Sequence, residues 1–478
     1  MIANEGLSRL PEGWTWASLG NICNYKKGKK PKSTIEVHKD GYSPYILVDQ
    51  LMGKAPKFFT NEKNCPICTK EDVLMVWDGS IGKNAIGLEG VIGSTIVALK
   101  SFGSDPMFLK YFIQLNYPLI QLKSRGSGLQ HVDPGFFWNL LFPLPPLYEQ
   151  RRVVAKIGEC FTKLDVNVET LQKVMLEIKR YRQSVLKAAM EGSLTADWRE
   201  AHKEELEPAS VLLQRIKEMK KKKLGNKYKE LAESDNESLP DLPEGWNWAT
   251  LEQLSSYIVD CLHSTPKFTS NGKYCIDTTC IEFGKILFNK ARFVSEETYR
   301  DRVRRLVPET GDILFAREGT IGTTVVVPEN VEFCLGQRMM MFRPFQGILP
   351  EYFMYSMGSR VFEQQWKPKV TGTTAPHVNI RDLRLMSLPL PQTLEQDKIV
   401  MEIDRHFSVA DEIGKVVEQT LKQVERLRQS ILKKAFEGKL VPQDPSDEPA
   451  EKLLERIIEK KSKKKSKTTV EAKQMGPV

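Results

Sequence analysis

The chain has 478 residues, of which 41% are hydrophobic and 27% charged, and its formal net charge is +9. This length predicts roughly three domain-sized units with packed cores, and the positive charge favours polyanionic partners. No segment has the roughly 18 consecutive apolar residues of a membrane helix, and the first residues lack the pattern of a signal peptide. We therefore expect no membrane association and a cytoplasmic location.

Eight cysteines are spread along the chain without the dense spacing of a disulfide framework. That usage fits a reducing compartment, where free cysteines behave as small buried hydrophobic residues. Cys65 and Cys68 have the spacing of two zinc ligands, but Cys275 with Cys280 makes a poor second pair. We predict no metal site, with zinc at these cysteines as the less favoured alternative.

The sequence contains an internal duplication. Four segments of the first half match segments of the second: LPEGWTWASL with LPEGWNWATL, EDVLMVWDGSIG with GDILFAREGTIG, FPLPPLYEQ with LPLPQTLEQ, and SVLKAAMEGSL with SILKKAFEGKL. The offset is 232 residues at the first pair, 240 at the second and 246 at the last two. Each half therefore has a first part that tolerates insertions and a last part of constant length.

The part of constant length is predicted to be a long helix in each half. Hydrophobic residues recur at alternating intervals of four and three, which is the heptad pattern of a coiled coil. The predicted helix-pairing residues are Ile157, Phe161, Leu164, Val168, Leu171, Met175 and Ile178, then Ile403, Phe407, Val417, Leu421, Val424 and Ile431. Arg182 and Arg428 interrupt the two patterns at the same place. Prolines precede each helix, and Gly192 or Gly438 follows it.

About 43 residues at 1.5 Å each give a helix of about 65 Å, too long to be buried by one small domain. We predict that the two long helices pair along their hydrophobic positions. They run antiparallel if the two copies are related by a pseudo-two-fold axis. The alternative is that each helix packs only on its own globular domain.

The remaining segments have an α+β pattern, with short β-rich runs, glycine turns and amphipathic helices. The predicted boundaries are a first globular domain at 1–145, a long helix at 146–192, a charged helical or linker segment at 193–238, a second globular domain at 239–391, a long helix at 392–440 and a lysine-rich C-terminal tail at 441–478.

Sequence motifs of catalytic or nucleotide-binding sites are absent from the chain. GSIGKN and its second copy EGTIGTT lack the phosphate-loop spacing, so we interpret both as turns between strands. His131 and His377 correspond across the repeat, each after a glycine-rich turn. No orienting acid or nucleophile is evident for either histidine, and we predict a structural or DNA-facing loop instead.

Each globular domain carries a basic segment. The candidate DNA-binding residues are Lys26, Lys27, Lys29, Lys30 and Lys32 in the first domain and Arg300, Arg302, Arg304 and Arg305 in the second. Lysines suit phosphate contacts, and arginines also bond guanine O6 and N7 in the major groove. A solvated basic surface is the alternative for each segment. Two different DNA-binding domains with a fixed spacer predict a bipartite, non-palindromic DNA site.

The segments LPEGW at the start of each half, LPPLYEQ and LPQTLEQ before each long helix, and RQSVLKAAMEGSL and RQSILKKAFEGKL at the helix ends resemble the specificity subunit of type I restriction-modification systems. The similarity covers essentially the whole chain. In that family, two target recognition domains each recognise one half of a split DNA site. Two helical regions set the spacing and bind two methyltransferase subunits, and a motor and nuclease subunit joins the assembly.

The resemblance implies that this chain is not an enzyme on its own and carries no cofactor. S-adenosylmethionine for adenine methylation, and ATP and Mg²⁺ for translocation and cleavage, would belong to the partner subunits. One alternative is a duplicated coiled-coil adaptor that does not bind DNA. Another is a self-sufficient methyltransferase or nuclease, for which the sequence has neither a cofactor loop nor a carboxylate cluster.

The repeated LPEGW motif is predicted to begin each domain at the same structural point. Trp14 and Trp246, with Trp16 and Trp248, are expected to be buried anchors, because a large aromatic side chain adds much apolar area to a small core. Stacking on a DNA base is the alternative.

Overall fold

The structure is a computed structural model that describes residues 9–126, 128, 130–230, 239–459 and 461. The chain divides into two compact units. Unit 1 comprises the described residues up to Leu171 and those from Gln419 onward, and unit 2 comprises those of Gln172–Glu418. Each unit contains one globular domain and one half of each long helix. Both domains mix strands and helices, which confirms the α+β class.

The globular domain of unit 1 is built on two four-stranded sheets, ordered β2-β9-β6-β7 and β4-β3-β8-β5, with β1 and β10 as a separate antiparallel pair. Its strands are β1 (Thr15–Ser18), β2 (Cys23–Lys27), β3 (Ser43–Ile46), β4 (Phe59–Thr60), β5 (Ile67–Cys68), β6 (Val73–Val76), β7 (Asn84–Ala85), β8 (Gly90–Ile92), β9 (Ile96–Ser101) and β10 (Leu141–Leu144). Its helices are α1 (Leu19–Ile22), α2 (Val48–Leu51), α3 (Pro106–Leu115), α4 (Tyr117–Leu122) and α5 (Pro134–Trp138), followed by the first long helix α6 (Leu147–Met190).

The globular domain of unit 2 has sheets ordered β12-β21-β18-β19 and β13-β17-β14-β20, with three two-stranded pairs, β11-β24, β15-β16 and β22-β23. The strands are β11 (Asn247–Thr250), β12 (Ser255–Asp260), β13 (Phe268–Thr269), β14 (Lys273–Ile276), β15 (Ile281–Glu282), β16 (Lys285–Ile286), β17 (Arg292–Val294), β18 (Ile313–Ala316), β19 (Thr324–Val326), β20 (Phe333–Leu335), β21 (Met339–Pro344), β22 (Val370–Thr371), β23 (His377–Val378) and β24 (Ser387–Leu390). The helices of this unit are α7 (Ala196–Ala201), α8 (Ala209–Leu224), α9 (Leu251–Leu254), α10 (Glu296–Val303), α11 (Pro350–Met357), α12 (Arg360–Trp366), α13 (Ile380–Leu385) and the second long helix α14 (Thr393–Phe436), with short 3-10 turns at Gly225–Lys227, Phe288–Lys290 and Lys367–Lys369.

The repeated glycine motifs are turns between antiparallel strands. GSIGKN lies between β6 and β7, and EGTIGTT lies between β18 and β19. The prediction of turns in place of phosphate loops is therefore confirmed. In both units the buried strand that precedes the turn, β6 or β18, lies in the middle of its sheet.

The two long helices pack against each other, as predicted. Each has 44 residues and ends two residues before a glycine with positive φ, Gly192 at 71° or Gly438 at 68°. In unit 1 the first half of α6 packs beside the last part of α14, and in unit 2 the second half of α6 packs beside the first part of α14. The helices are thus antiparallel within each unit.

Burial along both helices follows the heptad period. The predicted positions are buried or half-buried, and most residues between them are exposed. The buried members are Ile157, Leu164, Ile403, Phe407, Val417 and Val424, and the half-buried members are Phe161, Val168, Leu171, Met175, Ile178, Leu421 and Ile431.

The arginine that interrupts each heptad pattern makes the same contacts in both units. In unit 2 the Arg182 guanidinium lies 5.0 Å from the centre of the Phe407 ring and forms an ion pair with Asp411. In unit 1 the Arg428 guanidinium lies 5.0 Å from the centre of the Phe161 ring and pairs with Asp165. Each arginine thereby joins the two helices through a cation–π contact and an ion pair.

The LPEGW tryptophans are buried anchors, as expected. Trp14 Nε1 donates to Glu149 Oε2 at 3.0 Å, and Trp246 Nε1 donates to Glu395 Oε2 at 2.7 Å. Trp16 and Trp248, which were expected to be buried as well, are only half-buried. The acceptors are the glutamates of the E-Q motif at the start of each long helix. This contact therefore holds the start of each globular domain against the start of its long helix.

The neighbouring glutamines connect each long helix to a helix of the globular domain. Gln150 Oε1 accepts from the Asp105 amide at 2.8 Å, where α3 begins, and Gln396 Oε1 accepts from the Leu349 amide at 2.8 Å, where α11 begins. The E-Q motif is therefore a structural joint. Its repetition at constant spacing follows from the same joint occurring in both units.

Parts of the charged helical or linker segment predicted at 193–238 and of the C-terminal tail predicted at 441–478 form helices that dock on the globular domains. In unit 2 the α8 residues Ala209, Leu212 and Ile216 belong to the main core. In unit 1, residues 450–459 are helical, and Ala450, Leu453 and Ile457 belong to the core there. The sequence signal for both helices is a fifth repeated segment, EPASVLLQRI (207–216) and EPAEKLLERI (448–457), beyond the four matched pairs given above.

Both docked segments bond at the same place in their domains. The Ala209 amide donates to the Gly245 carbonyl at 2.8 Å, and the Ala450 amide donates to the Gly13 carbonyl at 2.8 Å. These carbonyls belong to the two LPEGW motifs. Most of the lysine run of the predicted tail lies outside the described residues.

Candidate nucleic-acid interface

The lysine segment of unit 1 begins on an edge strand and continues into the loop after it. Lys26 and Lys27 are exposed on β2, which lies at one end of its sheet. Lys29, Lys30 and Lys32 are exposed in the loop that follows. The structure therefore exposes all five predicted lysines within one short stretch of chain.

A first polar cluster, defined here as Lys27, Asp78, Arg125 and His131, lies at the end of this sheet. Lys27 Nζ is 3.2 Å from Asp78 Oδ2, and His131 Nδ1 is 2.7 Å from Asp78 Oδ1. The backbone of His131 forms β-bridges with both Asp78 and Arg125. Asp78 is mostly buried, whereas the three cationic or titratable side chains are about half exposed or more. The carboxylate thus orients donors that face solvent.

An aromatic side chain is exposed beside these lysines. Tyr25 on β2 is 54% exposed, and its ring stacks on Trp138 with centroids 4.7 Å apart. Trp138 in turn stacks near Trp77, with centroids 5.9 Å apart. A supported, exposed tyrosine next to exposed lysines provides the two contacts that nucleic acids make with proteins, stacking and charge neutralisation.

A second polar cluster, defined as Asp260, His263, Arg317, Glu318, Arg338 and His377, lies at the equivalent place in unit 2. Glu318 corresponds to Asp78 in the repeat. The Glu318 backbone forms a β-bridge with His377, as Asp78 does with His131. Arg338 Nε lies 2.9 Å from Glu318 Oε1. Both domains therefore carry an acidic residue, a histidine and a cation at one site.

A buried pair supports this second cluster. Arg317 Nε donates to Asp260 Oδ1 at 3.1 Å, and both side chains are largely buried. His263 Nε2 lies 3.0 Å from Asp260 Oδ2 and is exposed. Arg317 occupies the position of Trp77, so the two clusters share a backbone frame but differ in side chains.

The arginine segment of unit 2 lies partly on α10. Arg300 and Arg304 are exposed and pair locally with Glu296 at 3.1 Å and Asp301 at 3.2 Å. Arg305 is exposed, and its Nη1 donates to the Asp260 carbonyl at 3.2 Å, which places it beside the second polar cluster.

Arg302 departs from the expectation of a DNA-facing side chain. It is buried, and its guanidinium donates to the carbonyls of Leu335, Ser264 and Leu262 at 2.8, 3.1 and 3.0 Å. A guanidinium with three carbonyl acceptors stabilises the loops around it and is not available to DNA. The sequence pattern did not distinguish it from its exposed neighbours.

The cysteines with zinc-ligand spacing are buried thiols. Cys68 Sγ donates to the Gly90 carbonyl at 3.3 Å, and burial raises the pKa of this thiol to about 11. Across the described ranges, no three His, Cys, Asp or Glu side chains converge as metal ligands. All eight cysteines are free, and seven are buried.

Several residues of the two clusters were not predicted from the sequence. Asp78 and Glu318 occupy matched positions at the start of the repeated glycine turn, a signal that the alignment of the halves contained. Arg125 and Arg338 had no such signal, because folding brings their loops to the clusters: Arg125 forms a backbone bridge with His131 and an ion pair with Asp133, and Arg338 pairs with Glu318. Within the residues that the structure covers, no helix has the length and apolar content needed to span a membrane.

Comparison with known proteins identifies the family. The sequence profile of the type I restriction modification DNA specificity domain matches residues 11–180 and 243–423. The chain is 26% identical over 442 residues to the MjaVIII type I restriction enzyme specificity subunit of Methanocaldococcus jannaschii, covering 90% of this chain and 94% of that protein. It is 25% identical over 454 residues to the EcoBI specificity subunit of Escherichia coli, covering 92% and 89%.

The fold agrees with a solved structure from work on complex assembly and conformational transition of the type I R-M system. The match covers 91% of this chain and 100% of the other chain, with a TM-score of 0.54 and 21% sequence identity. The profile spans most of both halves of the duplication, including both LPEGW anchors and most of both long helices. The chain therefore belongs to the family of type I restriction-modification DNA specificity subunits.

Proposed function

We propose that this chain is the DNA-recognition subunit of a type I restriction-modification complex, in which each globular domain recognises one half of a bipartite, asymmetric site. The observation that carries the proposal is the pair of equivalent polar clusters. Both lie at the same place in a repeated frame, and their exposed side chains differ. Recognition of two different half-sites requires this combination of one backbone arrangement with different hydrogen-bond donors in the two domains.

In the first domain, we propose that Lys26, Lys27, Lys29, Lys30 and Lys32 contact DNA phosphates. Lysines give affinity without sequence choice, since phosphates are the same at every step. Replacing Lys29, Lys30 and Lys32 with alanine should weaken binding to all DNA sequences alike. The slope of log affinity against log salt should fall by about 0.9 for each lost phosphate contact. The exposed lysines Lys57, Lys63 and Lys70 provide a matched triple control.

In the second domain, the corresponding candidates are Arg300, Arg304 and Arg305. Their guanidinium groups are exposed, and Arg305 lies next to the second polar cluster. Arg302 is left out because its donors are already used inside the domain.

The long helices suit a spacer and a platform for partner subunits. Their paired faces are apolar, while their remaining faces are mostly polar and exposed. The proposed partners are two methyltransferase subunits, with contacts on those polar faces, and motor and nuclease subunits. On this proposal the partner subunits bind S-adenosylmethionine, ATP and Mg²⁺, and this chain recognises DNA without catalysing a reaction. The cytoplasm is the proposed location, which suits eight free thiols.

The adaptor hypothesis makes a different prediction for DNA. An adaptor would assemble with the same partners, but the complex would bind DNA no better than the partners alone. The lysine triple variant would then have no effect on DNA binding.

The decisive experiment is to co-express the chain with its candidate methyltransferase subunit and to map methylated adenines across the host genome. The methyltransferase subunit alone is the control. We expect a split motif that depends on this chain. A stable complex that methylates no defined motif would contradict DNA recognition and favour the adaptor.

A further inference from the structure

We propose that Arg338 recognises a guanine in the half-site of the second globular domain, and that Glu318 positions its guanidinium before DNA binds. This inference rests on the proposed function and adds one specificity-determining residue to it. Arg338 lies outside the arginine segment that the sequence singled out, in the short loop between β20 and β21.

The backbone of Arg338 is in the left-handed region. Its φ is 72°, and among the described residues only Asn330 is another non-glycine residue with positive φ. Asparagine tolerates this region, whereas a long side chain such as arginine is rarely found there. The Arg338 carbonyl accepts from the Arg317 amide at 3.1 Å, which holds the strained residue in place. Strain of this kind persists where the surrounding structure fixes it, and it is concentrated at functional sites.

The strained backbone directs a usable side chain to the surface. The Arg338 side chain is 52% exposed, and its ion pair to Glu318 uses Nε. Neither terminal nitrogen donates a hydrogen bond within the described chain, so both remain available as donors. Two terminal donors held in a plane match O6 and N7 of guanine in the major groove.

The surroundings of Arg338 are ordered by other contacts. The adjacent Gln337 side chain donates to the His263 carbonyl at 2.6 Å. Arg317, buried below, is held by Asp260 at 3.1 Å. Glu318 is 20% exposed, so it pairs with Arg338 without being fully solvated. The arginine is therefore positioned in the free protein, which reduces the entropy lost on binding.

The first domain has a different cation at this place. Asp78, equivalent to Glu318, pairs with Lys27, whose ammonium is a point charge without a planar pair of donors. The acidic position is thus shared, while the recognising group is an arginine in one domain and a lysine in the other. This difference predicts a guanine contact in the second half-site that the first domain does not make by the same means.

The test uses the complete chain in complex with its methyltransferase subunit, with methylation measured on a library of split sites. Arg338→Lys keeps the charge and removes the planar donors. We expect discrimination at one base pair of one half-site to fall by about 10- to 100-fold, while the other half-site and the spacing stay unchanged. Arg338→Gly should lose the same discrimination while its melting temperature stays equal or rises, because glycine accepts positive φ.

The matched control is Arg292→Lys. Arg292 is an equally exposed arginine of the same unit, 55% exposed, and its ion pair to Asp277 is 2.7 Å long. It should leave the motif unchanged. An unchanged motif with Arg338→Lys, or an equal loss at all sequences, would overturn the role of Arg338 alone. A wild-type complex without any split motif would overturn the proposed function together with this inference.

Discussion

The two units share their joints and differ in their polar clusters. The Trp14–Glu149 contact recurs as Trp246–Glu395, and the Arg182–Asp411 ion pair recurs as Arg428–Asp165. The docked helices recur as well. At the polar clusters only the acidic residue and the histidine recur, and the other side chains are replaced.

This difference separates two kinds of constraint. Residues that join a domain to the long helices must satisfy the same geometry in both units, so the duplication retains them at constant spacing. Residues of the polar clusters face solvent, so their chemistry is free to follow two different targets. Shared joints with different exposed donors are consistent with one architecture that recognises two unlike half-sites.

The largest expected effect is loss of the docked C-terminal helix. A chain that ends after Gln443 loses Leu453 and Ile457 from the core of unit 1, which should cost about 3–6 kcal/mol of stability. A chain that ends after Lys461 keeps the helix and should melt like the full chain. Thermal unfolding measures both. Equal melting temperatures of the two truncated chains would show that the docked helix does not stabilise unit 1. The double variant Leu212→Ala/Ile216→Ala tests the matching helix of unit 2 and should likewise lower the melting temperature.

The next effect concerns the tryptophan anchors. Trp14→Ala and Trp246→Ala should each lower the melting temperature, since removing a buried tryptophan costs about 3–5 kcal/mol and takes one hydrogen-bond donor away from a buried carboxylate. The half-buried Trp248 provides the control, and Trp248→Ala should cost less. Unchanged stability combined with lost DNA binding would favour base stacking over anchoring.

Replacing the glutamates that accept from the tryptophan anchors, Glu395 and Glu149, with glutamine should change stability less, and by different amounts at the two positions. Arg199 lies 2.6 Å from Glu395, and Thr195 also donates to it, so Glu395→Gln should cost about 1–3 kcal/mol by removing a charge-assisted contact. Glu149 has the neutral Gln443 near it, and burial raises the pKa of its carboxyl above the usual 4.5. Glu149→Gln should therefore be neutral or stabilising at pH 7.

The pH dependence follows from the same difference. The folded chain retains the Glu149 proton at pH values where the unfolded chain has lost it, because the folded pKa is raised. This contribution to stability is complete below pH 4.5 and is lost as the pH rises through the raised value. Urea unfolding across this range should show a shallower decline for Glu149→Gln than for the wild type. Identical pH profiles would contradict this account of Glu149.

The smallest effect is expected at the helix-joining arginines. Arg182→Ala and Arg428→Ala should each cost about 1 kcal/mol, because partly exposed ion pairs and cation–π contacts are individually weak. The costs should be similar, since the contacts are the same. A double-mutant cycle of Arg182 with Phe407 isolates the ring contact, and zero coupling would assign the cost to the ion pair alone.

Much of the framework was predictable because its signals are local or repeated. The heptad positions predicted the two paired helices, and the repeated LPEGW motif predicted that each domain begins at the same structural point. The docking of these two helices was not predicted, because lysines and glutamates dilute their few apolar residues. Their repeat is visible only when 207–216 is set beside 448–457.

The polar clusters were less predictable. Arg302 sits among exposed arginines, and only the folded loops that surround its guanidinium show that it is buried. Arg338 has no sequence signal, because its backbone strain and its pairing with Glu318 arise from contacts distant in the chain. The burial of Arg302 and the position of Arg338 both depend on packing between segments distant in the chain, which a single sequence does not show.

The most direct test of separate recognition by two domains is a domain exchange. Residues 15–144, from β1 through β10, would be replaced by the equivalent segment of a relative with a known target. Methylated adenines would then be mapped for the exchanged chain and for both parents, each with its own methyltransferase subunit. We expect a split motif in which one half comes from the relative, while the other half and the gap remain those of this chain. A change in both halves would contradict recognition by separate domains.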